Sequence, residues 1–585
     1  MRSAMTPDID VLVVGSGPTG MTTALALATY GVSVRVVTKQ GHLADTPRAH
    51  ITNQRALEVF RDLEIADELA QHAIPWDLMG DTLFAASLTG QEIARLSTWG
   101  TGAERSSDYL LASPCPLLDI PQTLVEPILM KNAVERGANV DFNTEYLTHV
   151  QDKLGVSSTL LDLATGLEYI VRSRYLVGAD GARSKIAEHL SLPFEGHSAR
   201  AATLYTLFDA DLTPYVSHRP SILYWLMTQG TGFGEIGMGL LRAVRPWHQW
   251  IAGWGFDMSA SDPVINPEAV TERIRAMVGV PDLPITIHWS SPWFVNQSHA
   301  TSYSVGRVFC GGDAVHRHPP SGGLGSNTCV GDAFNLAWKI AYVLKGHAGP
   351  DLLNSYGEER APVGAQIVKR ANDSRHSFAV LRDALSVPES ADPIAATISK
   401  ITQTDKDGAS ARQALREAIE LRNYEFNAEG VELNQRYQSG AILDDPTLPP
   451  ETWTRDPQLY VHVTSRPGAK IPHAWLVDPD GLRVSTLDVT GKGRFTLVTG
   501  LSGQRWATAA KSLDLKYLRA LVVDDSDARD LYGTWARIRE IDEDGALLVR
   551  PDGFIAARWV SSPATDTEAV TALSQALTRL LSVPS

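Results

Sequence analysis

Cysteine is scarce in this sequence, whose 585 residues contain only Cys115, Cys310 and Cys329. These residues form no CxxC pair and have no spacing typical of metal ligands. This argues against a disulfide-based scaffold and predicts no metal site. The sequence also lacks an apolar run of about 20 residues and an N-terminal signal peptide. We therefore expect a cytoplasmic protein that does not span a membrane.

Positive charge is in deficit as well: 52 Lys and Arg residues against 67 Asp and Glu residues give a formal net charge of −15. Proteins that bind nucleic acids or anionic membranes usually carry an excess of basic residues, so both partners are unexpected. Hydrophobic residues make up 44% of the chain and aromatic residues 8%, as in ordinary globular proteins. The length predicts about three to four domains.

The first apolar segment, Asp8–Val14, is typical of a buried parallel strand. It leads into the motif GSGPTG, an apolar helix and a second strand at Val32–Val37. In such a βαβ unit, Gly15 makes the tight turn, Gly17 lets a pyrophosphate approach the backbone, and Gly20 lets helix and strand pack closely. The segment predicts a dinucleotide site. An N-terminal unit of this kind holds FAD more often than a diffusing nicotinamide cofactor, but the motif alone leaves both open.

The end of the second strand departs from this fingerprint, which usually places Asp or Glu there to bind a ribose hydroxyl. Thr38 occupies the position and Lys39 follows it. A threonine can still hydrogen-bond a hydroxyl group, with less charge assistance than a carboxylate. Further along, Arg48 is placed to meet a pyrophosphate. His50 supplies an imidazole on a loop expected to lie near the cofactor, with an ordinary surface residue as the alternative.

Two later segments repeat the strand–turn–helix arrangement with an acidic residue at the turn. The strand Tyr175–Val177 runs into GADGARS, which contains Asp180. A short strand ending at Cys310 runs into GGDAVHRHPPSGGLGSNT, which contains Asp313, and then into a helix with one apolar face. Because a helix N-terminus presents unpaired N–H groups and partial positive charge, this loop predicts a cofactor site. A plain Asp-Gly turn and a surface connection are the alternatives.

Three middle segments are expected to build the substrate side. Residues 76–116 predict antiparallel strands, and residues 118–132 predict a helix that includes Gln122. Residues 192–298 predict an antiparallel sheet rich in aromatic side chains. Most of these rings are expected in the core, and a minority could line a pocket for a flat apolar ligand.

The last part of the chain predicts two further units. Residues 354–420 look helical, with a polar interruption near residues 386–410. A Pro-rich linker at residues 444–457 marks a domain boundary. Beyond it, residues 471–559 alternate strands and helices, which predicts a small α/β domain.

In their order, GSGPTG, GADGARS and GGDAVHRHPP resemble the motifs of the FAD-dependent aromatic hydroxylases, the single-component class A flavoprotein monooxygenases. The resemblance covers the whole chain. TPRAHITNQR and GDAVHRHPPSGGLGSNT are most similar to the chlorophenol hydroxylases of the phenol hydroxylase family.

The resemblance implies an α/β fold with a Rossmann-like FAD-binding domain, an antiparallel-sheet substrate domain and a C-terminal thioredoxin-like domain. The implied boundaries are 1–190 with 299–385 for the FAD-binding domain, with 76–116 contributing to the substrate side, 191–298 for the substrate domain, 386–455 for a helical segment and linker, and 456–585 for the thioredoxin-like domain. That last domain lacks CxxC, so it cannot carry out dithiol exchange, and a packing or dimer role is expected.

The resemblance also implies site residues. Those expected at FAD are Gly15, Gly17, Pro18, Thr19, Gly20, Thr38, Lys39, Arg48, Gln122, Asp180, Gly181, Arg183, Gly312, Asp313, Gly323, Leu324, Gly325, Ser326 and Asn327. The resemblance places Pro319 and Pro320 beside the reaction cavity. From the aromatic-rich segment, and not from the resemblance, Tyr224, Trp225 and Trp250 are expected at the substrate.

The implied reaction is the ortho-hydroxylation of a phenol, such as 2,4-dichlorophenol, to a catechol, with NAD(P)H, O2 and a flavin C4a-hydroperoxide. The phenol needs a base. Laying the phenol hydroxylase segment DGLQCR against residues 50–55 puts His50 at the aspartate, and a histidine suits a base at neutral pH. His316 and His318 are the rivals, although a role in orienting their loop is expected for both.

Several alternatives stay open from the sequence. The substrate could be phenol itself, an alkylphenol, a hydroxybenzoate or a polyketide, and Arg242 and Arg245 keep a carboxylate-binding role possible. A non-oxygenating FAD oxidoreductase is the alternative enzyme class. NADPH and NADH are not distinguished, and a homo-oligomer, dimer or tetramer, is expected.

Overall fold

A computed structural model describes residues 7–227, 238–256, 265–386 and 392–583. The strands are β1 Ile9–Val14, β2 Val34–Val37, β3 Ile51–Thr52, β4 Asp81–Ala85, β5 Glu92–Ser97, β6 Leu118–Asp119, β7 Asn139–Asp141, β8 Thr144–Gln151, β9 Val156–Asp162, β10 Glu168–Gly178, β11 Phe194–Asp209, β12 Leu223–Leu226, β13 Gly239–Arg245, β14 Gln249–Phe256, β15 Thr286–Ala300, β16 Ser304–Val305, β17 Val308–Cys310, β18 His316–Arg317, β19 Trp475–Val477, β20 Arg483–Ser485, β21 Phe495–Thr499, β22 Leu518–Val522, β23 Ala546–Val549 and β24 Ile555–Trp559.

The α-helices are α1 Pro18–Thr29, α2 Gln54–Asp62, α3 Ala66–Ala70, α4 Trp76–Met79, α5 Ala103–Ala112, α6 Gln122–Glu135, α7 Lys185–His189, α8 Thr213–Val216, α9 Pro267–Val278, α10 Leu324–Leu344, α11 Asn354–His376, α12 Phe378–Leu385, α13 Pro393–Thr402, α14 Lys406–Glu420, α15 Asn423–Phe426, α16 Glu429–Leu433, α17 Gln504–Leu513, α18 Thr534–Ile538 and α19 Asp566–Leu580. Among the described residues, no helix is long and apolar enough to cross a membrane.

The first sheet contains the parallel series β17–β10–β1–β2–β7, and β16, β9 and β8 extend it with antiparallel pairs. Val11, Leu12 and Val13 of the central strand β1 are fully buried, as expected inside a parallel sheet. Helix α1 packs against α10 and α6, so the helix that follows the first glycine motif contacts the helix that follows the last. This arrangement confirms the predicted Rossmann-like unit.

The second sheet has the order β18–β15–β11–β14–β13–β12–β4–β5 and is antiparallel except for the pair β12–β4. One face packs on α9 through a core that includes Trp250 and Ile274. The opposite face packs on Ile51 and Phe378. Ile51 lies in the first domain, so this second face is the one turned towards the glycine-rich loops. The predicted antiparallel sheet domain is confirmed.

The C-terminal sheet has the order β22–β21–β23–β24, in which β21 and β22 are parallel and the other pairs are antiparallel. Helices α17 and α19 pack against each other, and α17 also packs against β21 and β22. The βαβ unit followed by a hairpin and a helix agrees with the predicted thioredoxin-like domain. Helix α19 lies beyond the segment that the sequence pattern had identified.

Two predicted segments are wrong in part. Within residues 76–116, only β4 and β5 are strands, and residues 103–112 form a helix. The helix predicted over residues 118–132 begins at Gln122, whereas Leu118 and Asp119 pair with β3 as a strand. Pro121 explains the later start, because a proline disfavours helical backbone in the residue before it. This correction turns Asp119 into a strand residue at a domain junction.

The predicted polar interruption near residues 386–410 also needs correction. Most of its described part is helical: α13 covers residues 393–402, and α14 starts at Lys406. Residues 387–391 lie outside the described residues.

A buried cluster of charged side chains joins the C-terminal domain to the FAD-binding domain. Glu359 of α11 receives Lys339 Nζ at 2.8 Å and Arg550 Nη1 at 2.6 Å. Arg550 also contacts Asp552 at 2.5 Å, and none of the four side chains is more than 1% exposed. Because an unpaired charge in such an interior is costly, removing one partner should penalise the folded state strongly.

We expect Arg550→Leu to lower the free energy of unfolding by about 3–5 kcal/mol, because it leaves Glu359 and Asp552 without their shared cation. Urea unfolding measures this. Arg505→Leu is the matched control in the same domain, since its contact with Asp566 at 3.6 Å is half-exposed. The control should change stability by about 1 kcal/mol or less. Equal effects of the two variants would contradict the role given to the cluster.

Candidate active site

A cavity of about 610 Å³ opens at the carboxyl ends of β1 and β2, where an open parallel sheet binds nucleotides. The predicted cofactor residues that line it are Gly15, Gly17, Thr38, Lys39, Arg48, Gln122, Asp180, Gly181 and Arg183. The structure therefore brings together segments that lie more than a hundred residues apart in sequence.

Glycine is needed at the three positions of the first motif for different physical reasons. A Cβ on Gly15, whose φ is +110°, would lie 2.1 Å from the Ala179 carbonyl oxygen, and one on Gly20 would lie 1.9 Å from the Gly15 carbonyl oxygen. Both glycines are therefore required by the protein itself. A Cβ on Gly17 would meet no atom nearer than Glu126 Oε1 at 4.0 Å. The space beside Gly17 is open to the cavity, which fits a pyrophosphate that needs close approach to the backbone.

A carboxylate that the sequence analysis missed lies beside that space. Glu126 on α6 is 2% exposed, lines the cavity, and accepts hydrogen bonds from Gln122 Nε2 at 2.5 Å and from the Ala44 N–H at 2.7 Å. Burial raises the pKa of Glu126, although both hydrogen bonds oppose the shift. Gln122 and Glu126 are one helical turn apart, and that spacing is the signal that could have identified the second residue. Glu126 thus holds Gln122 and the loop before Arg48 in place.

The adenosine end of the cavity has the weaker polar partner that the sequence predicted. Thr38 is 5% exposed, and its backbone N–H donates to the Asp141 carbonyl at 3.0 Å. Lys39 follows it and is exposed at the cavity wall.

The GADGARS turn reaches the same cavity. Asp180 accepts hydrogen bonds from Ser184 Oγ at 2.6 Å and from the Ile186 N–H at 3.3 Å, so its carboxylate orders the turn. Burial raises the pKa of Asp180. Gly181 has a φ of +78°, a left-handed conformation that favours glycine. Arg183 is exposed and contributes a positive charge to the cavity wall.

The GD turn packs directly on the first motif. Pro18 begins α1, and the next residue, Thr19, places its Oγ1 2.1 Å from where a Cβ of Gly312 would lie. Gly312 has a φ of +64° and donates its N–H to Asp332 Oδ2 at 3.0 Å. Asp313 sits in the same 3-10 turn and is exposed. These contacts fix the position of Asp313 relative to the dinucleotide motif.

Helix α10 starts earlier than the predicted loop suggested, so residues 324–327 form its first turn. Gly323, with a φ of +63°, is the residue before the helix and has no side chain that could cap it. The N–H groups at such a helix start can donate to an electron-rich ligand. The Leu324 side chain itself is buried in a separate apolar core.

The Asn327 side chain is committed to the protein. Its Oδ1 accepts the Asn53 N–H at 2.9 Å, and its Nδ2 donates to the carbonyls of Ile51 at 2.8 Å and Gly323 at 2.6 Å. Asn327 was predicted to contact FAD. That contact stays a prediction, and the side chain has a positioning role because it ties the loop that follows His50 to the loop before α10.

His50 is 6% exposed and lies between the two domains. Its Nε2 is 2.9 Å from the Pro47 carbonyl, which requires an N–H on Nε2 and leaves Nδ1 as the basic nitrogen. Nδ1 lies 3.5 Å from Asp119 Oδ1, and Asp119 Oδ2 accepts a hydrogen bond from Arg242 Nη2 at 3.0 Å. Burial and then Arg242 lower the pKa of His50, while Asp119 opposes them.

The two rival histidines hold the GD loop. His316 Nε2 lies 2.9 Å from Asp332 Oδ2, and Arg360 Nε lies 2.7 Å from Asp332 Oδ1. All three side chains are at most 1% exposed. His318 Nδ1 lies 2.7 Å from the Pro319 carbonyl, and burial followed by His316 lowers the pKa of His318 to about 4. This geometry supports the loop-orienting role for both. Pro319 is buried and Pro320 is exposed at the start of the loop.

The predicted substrate residues divide between the two faces of the second sheet. Trp225 packs on Phe378 with ring centres 4.8 Å apart, on the face that contains Ile51. Tyr224 and Trp250 are fully buried on the opposite face, in the core beneath α9. Neighbouring strand residues point to opposite faces, so Tyr224 and Trp225 cannot both reach one pocket. Packing accounts for Tyr224 and Trp250, and we retain only Trp225 for the substrate side.

Strand register places three further residues on the substrate face, of which only Arg242 was considered from the sequence, as a possible carboxylate ligand. Arg242 pairs with Leu223, and Leu240 pairs with Trp225, so both lie on the face of Trp225. Leu240 pairs with Gly253, which pairs with Tyr205, and Tyr205 packs against the same apolar cluster. Tyr205 and Arg242 thus join Trp225 on the side that faces His50. No local pattern marks them, because the assignment depends on the register of four strands.

Two family profiles match the sequence of this chain. The "FAD binding domain" profile matches residues 8–371, and the "Aromatic-ring hydroxylase, C-terminal" profile matches residues 464–584. The chain is 46% identical over 585 residues to 2,4-dichlorophenol 6-monooxygenase of Delftia acidovorans, covering 98% of both chains. It is 44% identical over 569 residues to phenol 2-monooxygenase of Pseudomonas sp. (strain EST1001), covering 95% of this chain and 91% of the relative.

A solved structure agrees with the fold. The flavin-dependent monooxygenase PieE in complex with FAD and substrate has a TM-score of 0.94 and 41% identity, covering 99% of this chain and 100% of that one. The aklavinone-11 hydroxylase, solved with FAD and aklavinone, has a TM-score of 0.81 and 28% identity. FAD is the cofactor that the glycine cradle at Gly17 fits.

We expect Gly17→Ala to weaken FAD binding and Gly20→Ala to destabilise the apoprotein. The Gly17 variant should fold with unchanged apoprotein stability and bind FAD at least about tenfold more weakly, because the new methyl group occupies cofactor space. The Gly20 variant should lower apoprotein stability, because its methyl group collides with the Gly15 carbonyl. Thermal unfolding of the apoproteins and FAD titration followed by flavin fluorescence measure the two effects. A destabilised Gly17→Ala apoprotein would contradict the open cradle.

Proposed function

The chain belongs to the FAD-dependent aromatic-ring hydroxylases, and from this premise we propose that it ortho-hydroxylates a neutral phenol, in particular a chlorophenol, to the catechol. The co-substrates would be NAD(P)H and O2. The names of its relatives support this substrate class, since a 2,4-dichlorophenol 6-monooxygenase and a phenol 2-monooxygenase match almost the full chain. The single observation that carries the proposal is the buried His50 with its basic Nδ1 at the junction of the two domains.

FAD, when bound, supplies the redox chemistry by taking a hydride from NAD(P)H and delivering one atom of O2 to the ring. The residues proposed to hold it are those of the cavity described above, with Asp313 and the first N–H groups of α10 at the flavin end. The protein must then orient the phenol, exclude water and remove the phenol proton, because the phenolate is the better nucleophile.

His50 is proposed to accept the phenol proton at Nδ1. Its other nitrogen is fixed by the Pro47 carbonyl, so the imidazole cannot switch tautomer without losing that hydrogen bond. Burial lowers the pKa of His50, which keeps Nδ1 unprotonated at neutral pH and available as a base. Asp119, 3.5 Å away, then balances the positive charge that forms on the ring.

The charges at this site favour a neutral substrate. Arg242 could have bound a substrate carboxylate, but Asp119 accepts its hydrogen bond at 3.0 Å in a buried environment. Neutral His50, Asp119 and Arg242 sum to zero charge. Proton transfer places one positive charge on His50 and one negative charge on the phenolate, so the sum stays zero. A hydroxybenzoate would add a negative charge without a partner, which is costly at a buried site.

Apolar side chains surround this polar group and provide the water exclusion. Ile51, Trp225, Leu240 and Phe378 belong to one buried cluster, against which Tyr205 packs. The proposed reaction cavity lies between this cluster and the loop at Pro319. A cytoplasmic location and a homo-oligomeric state remain predictions that accompany the proposal.

We expect His50→Gln to uncouple the enzyme. The glutamine cannot accept the phenol proton, so catechol formation should fall by about 10²-fold or more, within the range for loss of a general base. NAD(P)H oxidation should fall less, and the difference should appear as hydrogen peroxide. Parallel assays of NAD(P)H, catechol and peroxide measure the ratio. An unchanged catechol yield per NAD(P)H would exclude His50 as the base.

A substrate panel tests the neutral pocket. Phenol and chlorophenols should give catechols, whereas 4-hydroxybenzoate should be turned over at least about 10²-fold less efficiently in kcat/KM, as expected for about 3 kcal/mol of unpaired charge. Asp119→Asn should reduce the difference in kcat/KM between phenols and 4-hydroxybenzoate, because it releases the Arg242 charge. Efficient hydroxybenzoate turnover by the unmodified enzyme would contradict the charge argument.

A further inference from the structure

Asp119 contacts both charged groups of the proposed active site, although the reaction as proposed assigns the proton only to His50. Its Oδ2 accepts from Arg242 at 3.0 Å, and its Oδ1 faces His50 Nδ1 at 3.5 Å. Asp119 and Arg242 are 0% and 14% exposed at the side chain. Three buried elements from different parts of the chain, the loop before β3, β6 and β13, therefore meet at one carboxylate.

The backbone holds this carboxylate rigidly next to His50. Asp119 pairs with Ile51 across the β3–β6 ladder, and its carbonyl accepts the Ile74 N–H at 2.8 Å. The Ile120 N–H donates to the His50 carbonyl at 2.8 Å, so both residues belong to one hydrogen-bonded unit. Ala49 has a φ of +47°, a conformation that costs a non-glycine residue energy and turns the chain immediately before His50.

Hydrogen bonding at the junction is incomplete. Among the described residues, neither His50 Nδ1 nor Asp119 Oδ1 has a hydrogen-bond partner, and both atoms are buried. Buried polar atoms are nearly always paired, so two facing atoms without partners indicate a site completed by a ligand or a proton. An added proton on Nδ1 would satisfy both at once, since the imidazolium could donate to the carboxylate.

We propose that Asp119, anchored by Arg242, is a positioning residue that orients His50 and stabilises its protonated form when the phenol proton arrives at Nδ1. This inference rests on the proposed function. The proton moves from the phenol oxygen to Nδ1, the O–H electron pair stays on the phenolate, and no proton leaves the site during this step. Arg242 keeps Asp119 ionised so that the carboxylate can respond to the new charge.

The two partners act on His50 with opposite sign. The negative Asp119 favours the protonated imidazole and the positive Arg242 disfavours it. Arg242 and His50 also outweigh burial and hold the pKa of Asp119 below its ordinary value. Tyr205 is a further titratable side chain beside Arg242, and burial raises its pKa, so it stays neutral in the working range. If Asp119 and Arg242 merely supported the fold, their removal would not shift the protonation of His50 in opposite directions.

The experiment uses oxidised holoenzyme without NAD(P)H, and 4-nitrophenol as the probe because its phenolate absorbs visible light. The dissociation constant of 4-nitrophenol is measured as a function of pH. It should rise on the acid side of the profile where His50 becomes protonated, and this rise is called the acid limb. The spectrum of the bound probe gives its phenolate-to-phenol ratio. Asp119→Asn should move the acid limb to lower pH by about one unit, the effect of losing one nearby charge. Arg242→Gln should move the limb to higher pH, because His50 becomes the only partner of Asp119.

Two further variants keep the test interpretable if one of the single variants does not fold. Asp119→Asn/Arg242→Gln removes both charges, and its comparison with Arg242→Gln isolates Asp119 even if the single asparagine variant does not fold. Asp152→Asn, a surface acid 2.7 Å from Arg172, is the matched control and should leave limb and ratio unchanged. FAD content and circular dichroism report the fold of each variant.

These variants distinguish a failure of the His50 assignment from a failure of the Asp119 assignment. If His50→Gln leaves the acid limb in place, the base assignment itself fails. If His50→Gln abolishes the limb but Asp119→Asn does not move it, only the role of Asp119 is overturned. Shifts of both single variants in the same direction would also overturn it, since general loss of packing explains them.

Discussion

The side-chain amide of Asn327 is the contact on which the active site depends. It lies in the first turn of α10 and binds the Asn53 N–H and the carbonyls of Ile51 and Gly323. The loop that carries His50 is therefore fixed to the loop proposed to hold the flavin. In the proposed reaction the phenol would have to reach both the bound flavin and His50, so the distance between these loops would set the geometry of reaction.

Two buried carboxylates, Asp332 and Glu359, are neutralised by the cationic side chains next to them. Asp332 is shared by His316, Arg360 and the Gly312 N–H, and Glu359 is shared by Lys339 and Arg550. The group at His50 follows the same rule with one difference, since two facing atoms lack partners. A proton added to His50 Nδ1 would let the ring donate to Asp119 Oδ1, so this facing pair can accept a proton. That difference separates a structural charge cluster from a site able to take part in acid–base chemistry.

Local chemistry decided which parts could be predicted from the sequence. The first glycine motif was predictable because a tight turn, a close approach and a strand–helix contact each demand glycine within six residues. Asp119 was missed because a helix was expected there, and its role depends on pairing with β3. Tyr224 and Trp250 were expected at the substrate because they are aromatic, but the face of a strand residue is known only once the sheet register is known. His50 was found through the family resemblance, and its partners came from tertiary structure alone.

The proposed function requires that one oxygen atom of O2 is transferred to the ortho carbon of a neutral phenol. The most direct measurement supplies isotopically labelled dioxygen, NAD(P)H and a chlorophenol to the holoenzyme, followed by mass spectrometry of the product. We expect a catechol that carries one labelled oxygen at the new hydroxyl group, formed in step with NAD(P)H oxidation. An unlabelled product, or labelled hydrogen peroxide with unchanged phenol, would contradict it.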